Sequence, residues 1–256
     1  MNAKPQPTAL ITGAARRIGR AIALDLAAAG WRVVVHYNGS AADAAAVVRE
    51  IEQAGGRAVA VQADLMDEAA AEALMEKAAK AAGPVTCLIN NASVFERDDP
   101  KTATKETWDA HMQVNLRAPF VLTQAFARRL PAGAEGDVIN LIDQRVWNVT
   151  PHFTSYTVSK VALWGLTQNL ALALAPQIRV NAIGPGPILQ SRHQSAEQFR
   201  RQWSRLPLGR QVMPAEICRA VRFLLDAPSM TGQMIMLDGG QHLGWAPGPA
   251  GRDTAE

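Results

Sequence analysis

The chain has little of several things that mark other protein classes. Its 256 residues include two cysteines, Cys87 and Cys218. They stand far apart in apolar surroundings, with neither metal-ligand spacing nor a redox pair, so a disulfide framework and a cysteine metal site are excluded and two buried reduced thiols are expected. No strong charge imbalance exists: the net charge is +3, and the basic residues fall in short groups such as Arg16-Arg17, Arg128-Arg129 and Arg200-Arg201, which speaks against nucleic acid. Long apolar runs are missing. The most apolar segment, Val161 to Ala175, is interrupted by Gln168 and Asn169, too polar for a membrane span. The stretch MNAKPQPTAL lacks the apolar core of a signal peptide, so a cytoplasmic protein is expected. The five histidines, at 36, 111, 152, 193 and 242, form no metal-ligand pattern, and no metal is expected.

What is present is an apolar fraction of 48% with 19% charge, enough for one large core. Short β-branched runs alternate with alanine-rich stretches of helical period, the pattern of a parallel sheet wound by crossover helices. Strands are expected near Thr8–Thr12, Arg32–Tyr37, Ala58–Gln62, Val85–Asn90, Asp137–Ile142, Arg179–Ile183 and Met234–Leu237. Helices are expected near Ile18–Ala29, Ala41–Ala54, Glu68–Ala82, Lys105–Arg129, Ser155–Ala175 and Ala215–Asp226. The fold class is therefore α/β, a Rossmann-like, doubly wound, seven-stranded parallel sheet forming one domain over 1–256. Residues 184–213, rich in Pro, Gly and charge, are expected to be a substrate-binding loop, and residues 246–256 a tail, frayed or packed on a partner subunit. Trp147, Trp203 and Trp245 are expected to pack in the core or between subunits.

The stretch ALITGAARRIGRAIA places Gly13 and Gly19 on the turn between the first strand and its helix. Small residues there let the backbone approach a pyrophosphate, whose charge the helix N-terminus favours. After the second strand, where an NAD enzyme carries an acidic residue for the ribose hydroxyls, the chain reads HYNGS. Without that carboxylate a 2′-phosphate is not repelled, and Arg17, Asn38 and Ser40 are placed to hold it, so NADPH is expected over NADH.

The ordered set TGAARRIG, ADL at Ala63–Leu65, NNAS at Asn90–Ser93, Asn115, YTVSK at Tyr156–Lys160 and NAIGPG at Asn181–Gly186 resembles the short-chain dehydrogenase/reductase family. Within it the chain looks most like the pteridine reductases, through Arg17 where most relatives have glycine, HYNGS, and Asp143 in place of the usual serine thirteen residues before the tyrosine. One departure is Gly39, where those reductases carry a basic residue. The resemblance implies that NADP(H) is bound by Gly13, Arg17, Ile18, Gly19, His36, Tyr37, Asn38, Ser40, Asp64, Leu65, Asn90, Asn91, Ala92, Ser93, Pro185 and Gly186, with Tyr156 and Lys160 on the nicotinamide ribose. It implies pterin contacts at Ser93, Phe95, Asp143 and Tyr156, and a catalytic group of Asp143, Tyr156, Lys160 and Asn115, in which Lys160 lowers the Tyr156 pKa and Asn115 supports a water relay to that lysine. It further implies a homotetramer with contacts at Lys105–Arg129, Ser155–Ala175 and the segment MIMLDGGQHLGW.

The carboxylate changes the chemistry expected of the site. A serine hydroxyl donates to a substrate oxygen as charge develops on it. An ionised Asp143 would face that oxyanion instead, at a cost of roughly 4 kcal/mol for a like pair about 4 Å apart at an effective dielectric of 20. A C=N bond needs a proton delivered to its nitrogen as hydride reaches the neighbouring carbon, and a carboxylate beside Tyr156 suits that demand. The expected function is therefore hydride transfer from NADPH to a dihydropterin or folate-like substrate. Two other readings stand beside it: reduction of another carbonyl or imine with Asp143 protonated by burial, and a cofactor-sensing binding protein, disfavoured because Tyr156, Lys160 and Asn115 are all retained.

Overall fold

The computed structural model describes residues 6–192 and 194–244. His193, Trp245 and the tail 246–256 lie outside the described residues. The strands are β1 (Thr8–Ile11), β2 (Arg32–Tyr37), β3 (Arg57–Gln62), β4 (Cys87–Asn90), β5 (Gly136–Leu141), β6 (Ile178–Pro185) and β7 (Met234–Leu237). The helices are α1 (Arg17–Ala28), α2 (Ala41–Gln53), α3 (Glu68–Ala82), α4 (Lys105–Met112), α5 (Ala118–Arg129), α6 (Thr154–Leu174), α7 (Ala196–Ser204) and α8 (Pro214–Leu225). All seven strands pair in parallel in the order β3-β2-β1-β4-β5-β6-β7, the expected doubly wound sheet.

Alternation along the strands divides the core in two. Ala9 and Ile11 of β1 and Val33 and Val35 of β2 pack with Ile22, Leu26, Val47 and Ile217 of α1, α2 and α8. Leu10 and Val34, pointing the other way, pack with Leu74, Leu122 and Phe126 of α3 and α5. Parallel strands buried on both faces explain why their sequences read as near-continuous apolar runs. Strand order reverses at β1, so the crossovers to β2 and to β4 leave on opposite faces and open a crevice at the carboxyl ends. Pairing of Ile11 with Ile89, Asn90 with Asn140 and Leu141 with Ile183 brings the residues after β1, β4, β5 and β6 to that one edge.

Three expectations need correction. The single helix expected over Lys105–Arg129 is two, joined by a π-helical turn at Gln113–Arg117. The segment 184–213 is not all loop: β6 runs on to Pro185, and α7 forms within it, started by a reciprocal Ser195/Gln198 capping box. Its run of Gln and Arg beside Pro and Gly hid that helix from a reading based on apolar period. The strand expected from Val85 begins at Cys87. Both cysteines are buried and free. Among the described residues no helix is long and apolar enough to cross a membrane.

Candidate active site

The turn after β1 is built for close approach. Gly13 sits at φ +63°, a left-handed conformation that favours glycine. A methyl on Gly19 would lie 2.4 Å from the Gly13 carbonyl and 2.5 Å from Asn91 Nδ2. Thr12 Oγ1 accepts from the backbone N–H of Asn91 and of Ala92, both at 2.9 Å, and Asn91 Nδ2 donates to the Thr12 carbonyl at 2.9 Å. The ends of β1 and β4 are thereby locked together. A backbone with no side chain in the way, opening onto the start of α1, fits a pyrophosphate.

The residues expected at the cofactor's far end are only partly brought to it. Asn38 donates to Asp64 Oδ1 at 3.2 Å, and that oxygen also accepts from the Met66 N–H at 2.9 Å. Ser40 starts α2 without a side-chain cap bond. Leu65 is buried and Tyr37 packs on the core. His36, expected to bind cofactor, is 2% exposed and turned inward. Its Nδ1 accepts from the Gly13 N–H at 3.0 Å and its Nε2 meets the Ala63 carbonyl at 3.1 Å, so it holds the glycine turn to β2 and β3. Arg17 also departs from expectation. It occupies φ +55°, the conformation for which glycine is the usual solution, and its guanidinium donates to the carbonyls of Gln190 (2.9 Å) and Leu189 (3.1 Å). The arginine facing the start of α2 is its neighbour: Arg16 Nε donates to Asp43 Oδ2 at 2.7 Å, in the first turn of that helix. Sequence reasoning overlooked Arg16, although the Arg16-Arg17 pair was visible.

One cleft of about 690 Å³ is lined at the glycine turn by Gly13, Arg16, Arg17, Ile18, Gly19, Asn91 and Ala92, and beyond it by Ser93, Phe95, Asp143, Tyr156, Lys160, Pro185 and Gly186, with Asp143 and Tyr156 marking its other end. Gly186 is needed where β6 ends, since a Cβ there would lie 2.7 Å from the Asp238 Cα. The Tyr156 hydroxyl donates to Asp143 Oδ2 at 2.8 Å. Asp143 Oδ1 accepts from the Arg145 N–H at 2.8 Å, and the Arg145 guanidinium stands 3.9 Å from Oδ2. Burial, then the Asp143 charge, push the Tyr156 pKa well above its ordinary value, opposite to the lowering expected from Lys160. The phenol is held as a proton donor. Burial lowers Lys160 to about 8 against the pull of Asp143. Its ammonium donates to the Leu141 carbonyl at 2.9 Å and lies 5.7 Å from the Tyr156 ring centre.

Aromatic rings wall this end. Phe95 stacks on Phe153 with ring centres 4.4 Å apart and planes 5° from parallel, and meets Tyr156 edge-on at 4.7 Å. The Arg145 guanidinium lies 4.9 Å from the Phe153 ring centre and 5.5 Å from that of Phe95. Such contacts contribute up to about 2 kcal/mol when desolvated. They offset the left-handed backbone of Phe153, φ +61°, which costs on the order of 1–3 kcal/mol. Neither Arg145 nor Phe153 belongs to a motif, and the sequence carried no signal for them. Asn115 does not reach Lys160 through its side chain: Oδ1 accepts from Ser93 Oγ (3.1 Å) and the Val94 N–H (2.8 Å), while Nδ2 donates to the Val94 carbonyl (3.0 Å) and Ser159 Oγ (3.1 Å). Trp147, half exposed, meets the His242 ring edge-on at 5.3 Å.

The family described as enoyl-(acyl carrier protein) reductase matches residues 13–242, spanning the glycine turn, the Tyr156–Lys160 pair and the last strand. The chain belongs to the short-chain dehydrogenase/reductase family. A 3-oxoacyl-[acyl-carrier-protein] reductase of Synechocystis is 35% identical over 250 residues, 94% of this chain and 98% of that protein. The corresponding reductase of Staphylococcus aureus is 34% identical over 245 residues, 94% of this chain and all of that protein. Among solved structures, the FolM alternative dihydrofolate reductase 1 of Brucella canis, complexed with NADP, is 46% identical with a TM-score of 0.92, covering 95% of this chain and 96% of that one. Its Brucella suis counterpart, also with NADP, is 48% identical with a TM-score of 0.91, covering 94% and 96%. As in other short-chain dehydrogenase/reductases, the chain is an oxidoreductase fold with its cleft at the strand ends.

His36 makes the glycine turn sensitive to acid. Burial lowers its pKa from 6.5 to about 4, opposed by the Ala63 carbonyl and the Asp64 charge. The unfolded chain takes up this proton near pH 6.5 and the folded one only near pH 4. Stability is thus fully present above pH 6.5 and declines as pH falls through that window, by about 3 kcal/mol in all. Urea unfolding of the unaltered protein between pH 7 and 4.5 is expected to lose stability more steeply than that of His36→Gln; parallel slopes would refute a neutral buried ring.

Proposed function

We propose that the protein is an NADPH-dependent reductase of the C=N bond of a dihydropterin or folate-like substrate. The observation that carries this reading is the hydrogen bond from Tyr156 to Asp143. NADP in the two FolM structures supports the cofactor, and the glycine turn has room for its pyrophosphate. The names of those neighbours support the substrate class. The sequence relatives named as 3-oxoacyl reductases favour a carbonyl substrate, which is the second reading.

Held along the glycine turn by Gly13 and Gly19, NADPH would supply the hydride for the substrate carbon. The protein's part is proton delivery and charge. Tyr156 presents a neutral hydroxyl, held so by burial and by Asp143, and gives its proton to the ring nitrogen so that the hydride reaches a protonated C=N bond. Asp143 faces that nitrogen with negative charge, stabilising positive charge on a protonated C=N bond where it would oppose an oxyanion. Lys160 and Arg145 are the cations that balance Tyr156 once its proton has left. Phe95, backed by Phe153, offers a flat face to a planar bicyclic ring. Asn115 acts as a positioning residue for Ser93 and Val94, on the segment that carries Phe95.

The decisive experiment exchanges the carboxylate. Asp143→Ser is expected to leave NADPH binding nearly intact, to lower dihydropterin turnover by about 10²–10⁴-fold, and to raise activity on simple ketones. Tyr156→Phe is expected to suppress both. Full pterin turnover in Asp143→Ser, or preference of the unaltered enzyme for a β-ketoacyl thioester, would sink this reading in favour of the carbonyl one.

Cofactor preference tests the placement of the two arginines. Arg16 faces the start of α2, where the ribose 2′ position is expected, so Arg16→Ala should narrow the gap between NADPH and NADH about tenfold or more. Arg17→Ala should weaken both cofactors alike; affinities measured by fluorescence titration decide between them.

We also propose the homotetramer that the resemblance implies. Trp108, Val158, Val161 and Leu172 are exposed apolar side chains on the helices named for its contacts, and a groove lined by Met112, Leu116, Phe120 and Leu166 runs beside them. Light scattering at micromolar concentration is expected to report four copies, and a monomer would refute it.

A further inference from the structure

Behind the aromatic wall lies a group of polar side chains to which the reaction assigns no role. Asp98, His111 and Ser155 are 2%, 0% and 0% exposed. They come from three different segments: the coil between β4 and α4, the last turn of α4, and the first turn of α6. Ser155 Oγ donates to Asp98 Oδ2 and meets His111 Nδ1 at 2.7 Å. The same Nδ1 lies 2.8 Å from the Thr107 carbonyl, and His111 Nε2 accepts from the Glu96 N–H at 3.1 Å. An Nε2 that accepts and an Nδ1 facing a carbonyl define one tautomer, with the proton on Nδ1.

Asp98 has a second function in this group. The residue that begins α6, Phe153, gives it no side-chain cap. Asp98 supplies one from outside: its Oδ1 accepts from the Ser155 N–H at 3.2 Å, and its carbonyl accepts from the Phe153 N–H at 2.7 Å. A carboxylate at a helix N-terminus both satisfies an orphan N–H and complements the helix dipole. The next residue along is Tyr156.

We propose that Asp98, His111 and Ser155 form a positioning network that fixes Phe95 relative to the Tyr156 hydroxyl. The coil from Asn91 to Thr104 has no helix or strand of its own, so its shape depends on side-chain ties. Asn115 grips it at Ser93 and Val94, His111 at Glu96, and Asp98 fastens it to the start of α6. The flat ring that receives the substrate and the hydroxyl that protonates it are thus set on opposite sides of one buried link. None of the three touches substrate; they act through Phe95 and Tyr156. The identity of the substrate rests on the function proposed above, while the link itself does not.

Two substitutions at one position separate positioning from general support. His111→Gln can place its amide near the position of Nε2, where the Glu96 N–H is accepted, whereas the shorter His111→Asn reaches only as far as Nδ1. The Gln variant is expected to hold kcat/KM for dihydropterin within about threefold of the unaltered enzyme. The Asn variant is expected to lose about tenfold to a hundredfold, as a displaced ring costs alignment, with NADPH KM unchanged in both and melting temperatures recording that both fold. Equal losses in the two variants, or NADPH KM rising in step, would overturn the proposal. A readout independent of substrate is ¹⁵N NMR of the histidine rings: His111 is expected as the Nδ1–H tautomer and His36 as Nε2–H, and an Nε2–H signal for His111 would also overturn it. Should the unaltered enzyme fail on dihydropterins, the proposed function falls alone, and the same pair of variants is compared on the carbonyl substrate it does reduce.

Discussion

A buried phenol that donates to a carboxylate at 2.8 Å is the contact on which the rest of the site depends. It keeps Tyr156 protonated, so in the proposed reaction the residue acts as an acid. In the proposed reaction it also sets a carboxylate where the resemblance leads one to expect a serine, and so bears on which developing charge the cleft would tolerate. Burial sharpens both effects, because charges in a low-dielectric site interact more strongly than in water. Arg145 and Lys160 keep that charge from standing alone, one beside the carboxylate and the other beneath the tyrosine ring.

Holding this pair in place requires backbone that local preference opposes. Phe153 and Arg17 both adopt left-handed conformations, and each is over-determined by contacts. Phe153 is clasped by the Phe95 ring, the Arg145 guanidinium and the Asp98 carbonyl. Arg17 is anchored by the carbonyls of Leu189 and Gln190. Strain of this kind collects at functional sites because the surrounding packing sustains it. In this chain the two strained residues flank the cleft, one where cofactor is expected and the other where substrate is expected.

The sheet, its order and the glycine turn were legible because they follow from local rules. Short apolar runs mark β1 and β2, and Gly13 and Gly19 stand where the backbone leaves no room for a side chain. Tyr156 and Lys160 were legible because four residues on a helix is one face. What escaped has a common cause. His111, Asp98 and Ser155 meet across 44 and 57 residues, and no spacing rule joins such positions. Whether Arg16 or Arg17 faces α2 turns on a left-handed φ that an arginine does not advertise. His36 looked like part of the cofactor site because it ends a strand beside it, but the strand's alternation points it inward. Helix α7 is polar on most sides, so apolar period could not reveal it.

The π-helical turn at Gln113–Arg117 carries a consequence for insertions and deletions. A turn closed by i→i+5 bonds holds one residue more than an α-helical turn, and so changes the angular phase of everything beyond it by roughly 100°. On a helical wheel, His111, Asn115, Ala118, Leu122 and Ala125 fall on one continuous stripe. In the molecule the stripe is broken: His111 and Asn115 grip the coil after β4, whereas Ala118, Leu122 and Ala125 pack in the core layer beneath the sheet. Removing one residue from the turn would restore a plain α-helix with α4 and α5 in their present phase, because the turn holds one residue in excess. A plain α-helix of the present length would instead straighten the stripe and could keep its grip on the coil or its seat against the sheet, but not both, so the extra residue is what lets one stripe of the sequence serve two faces.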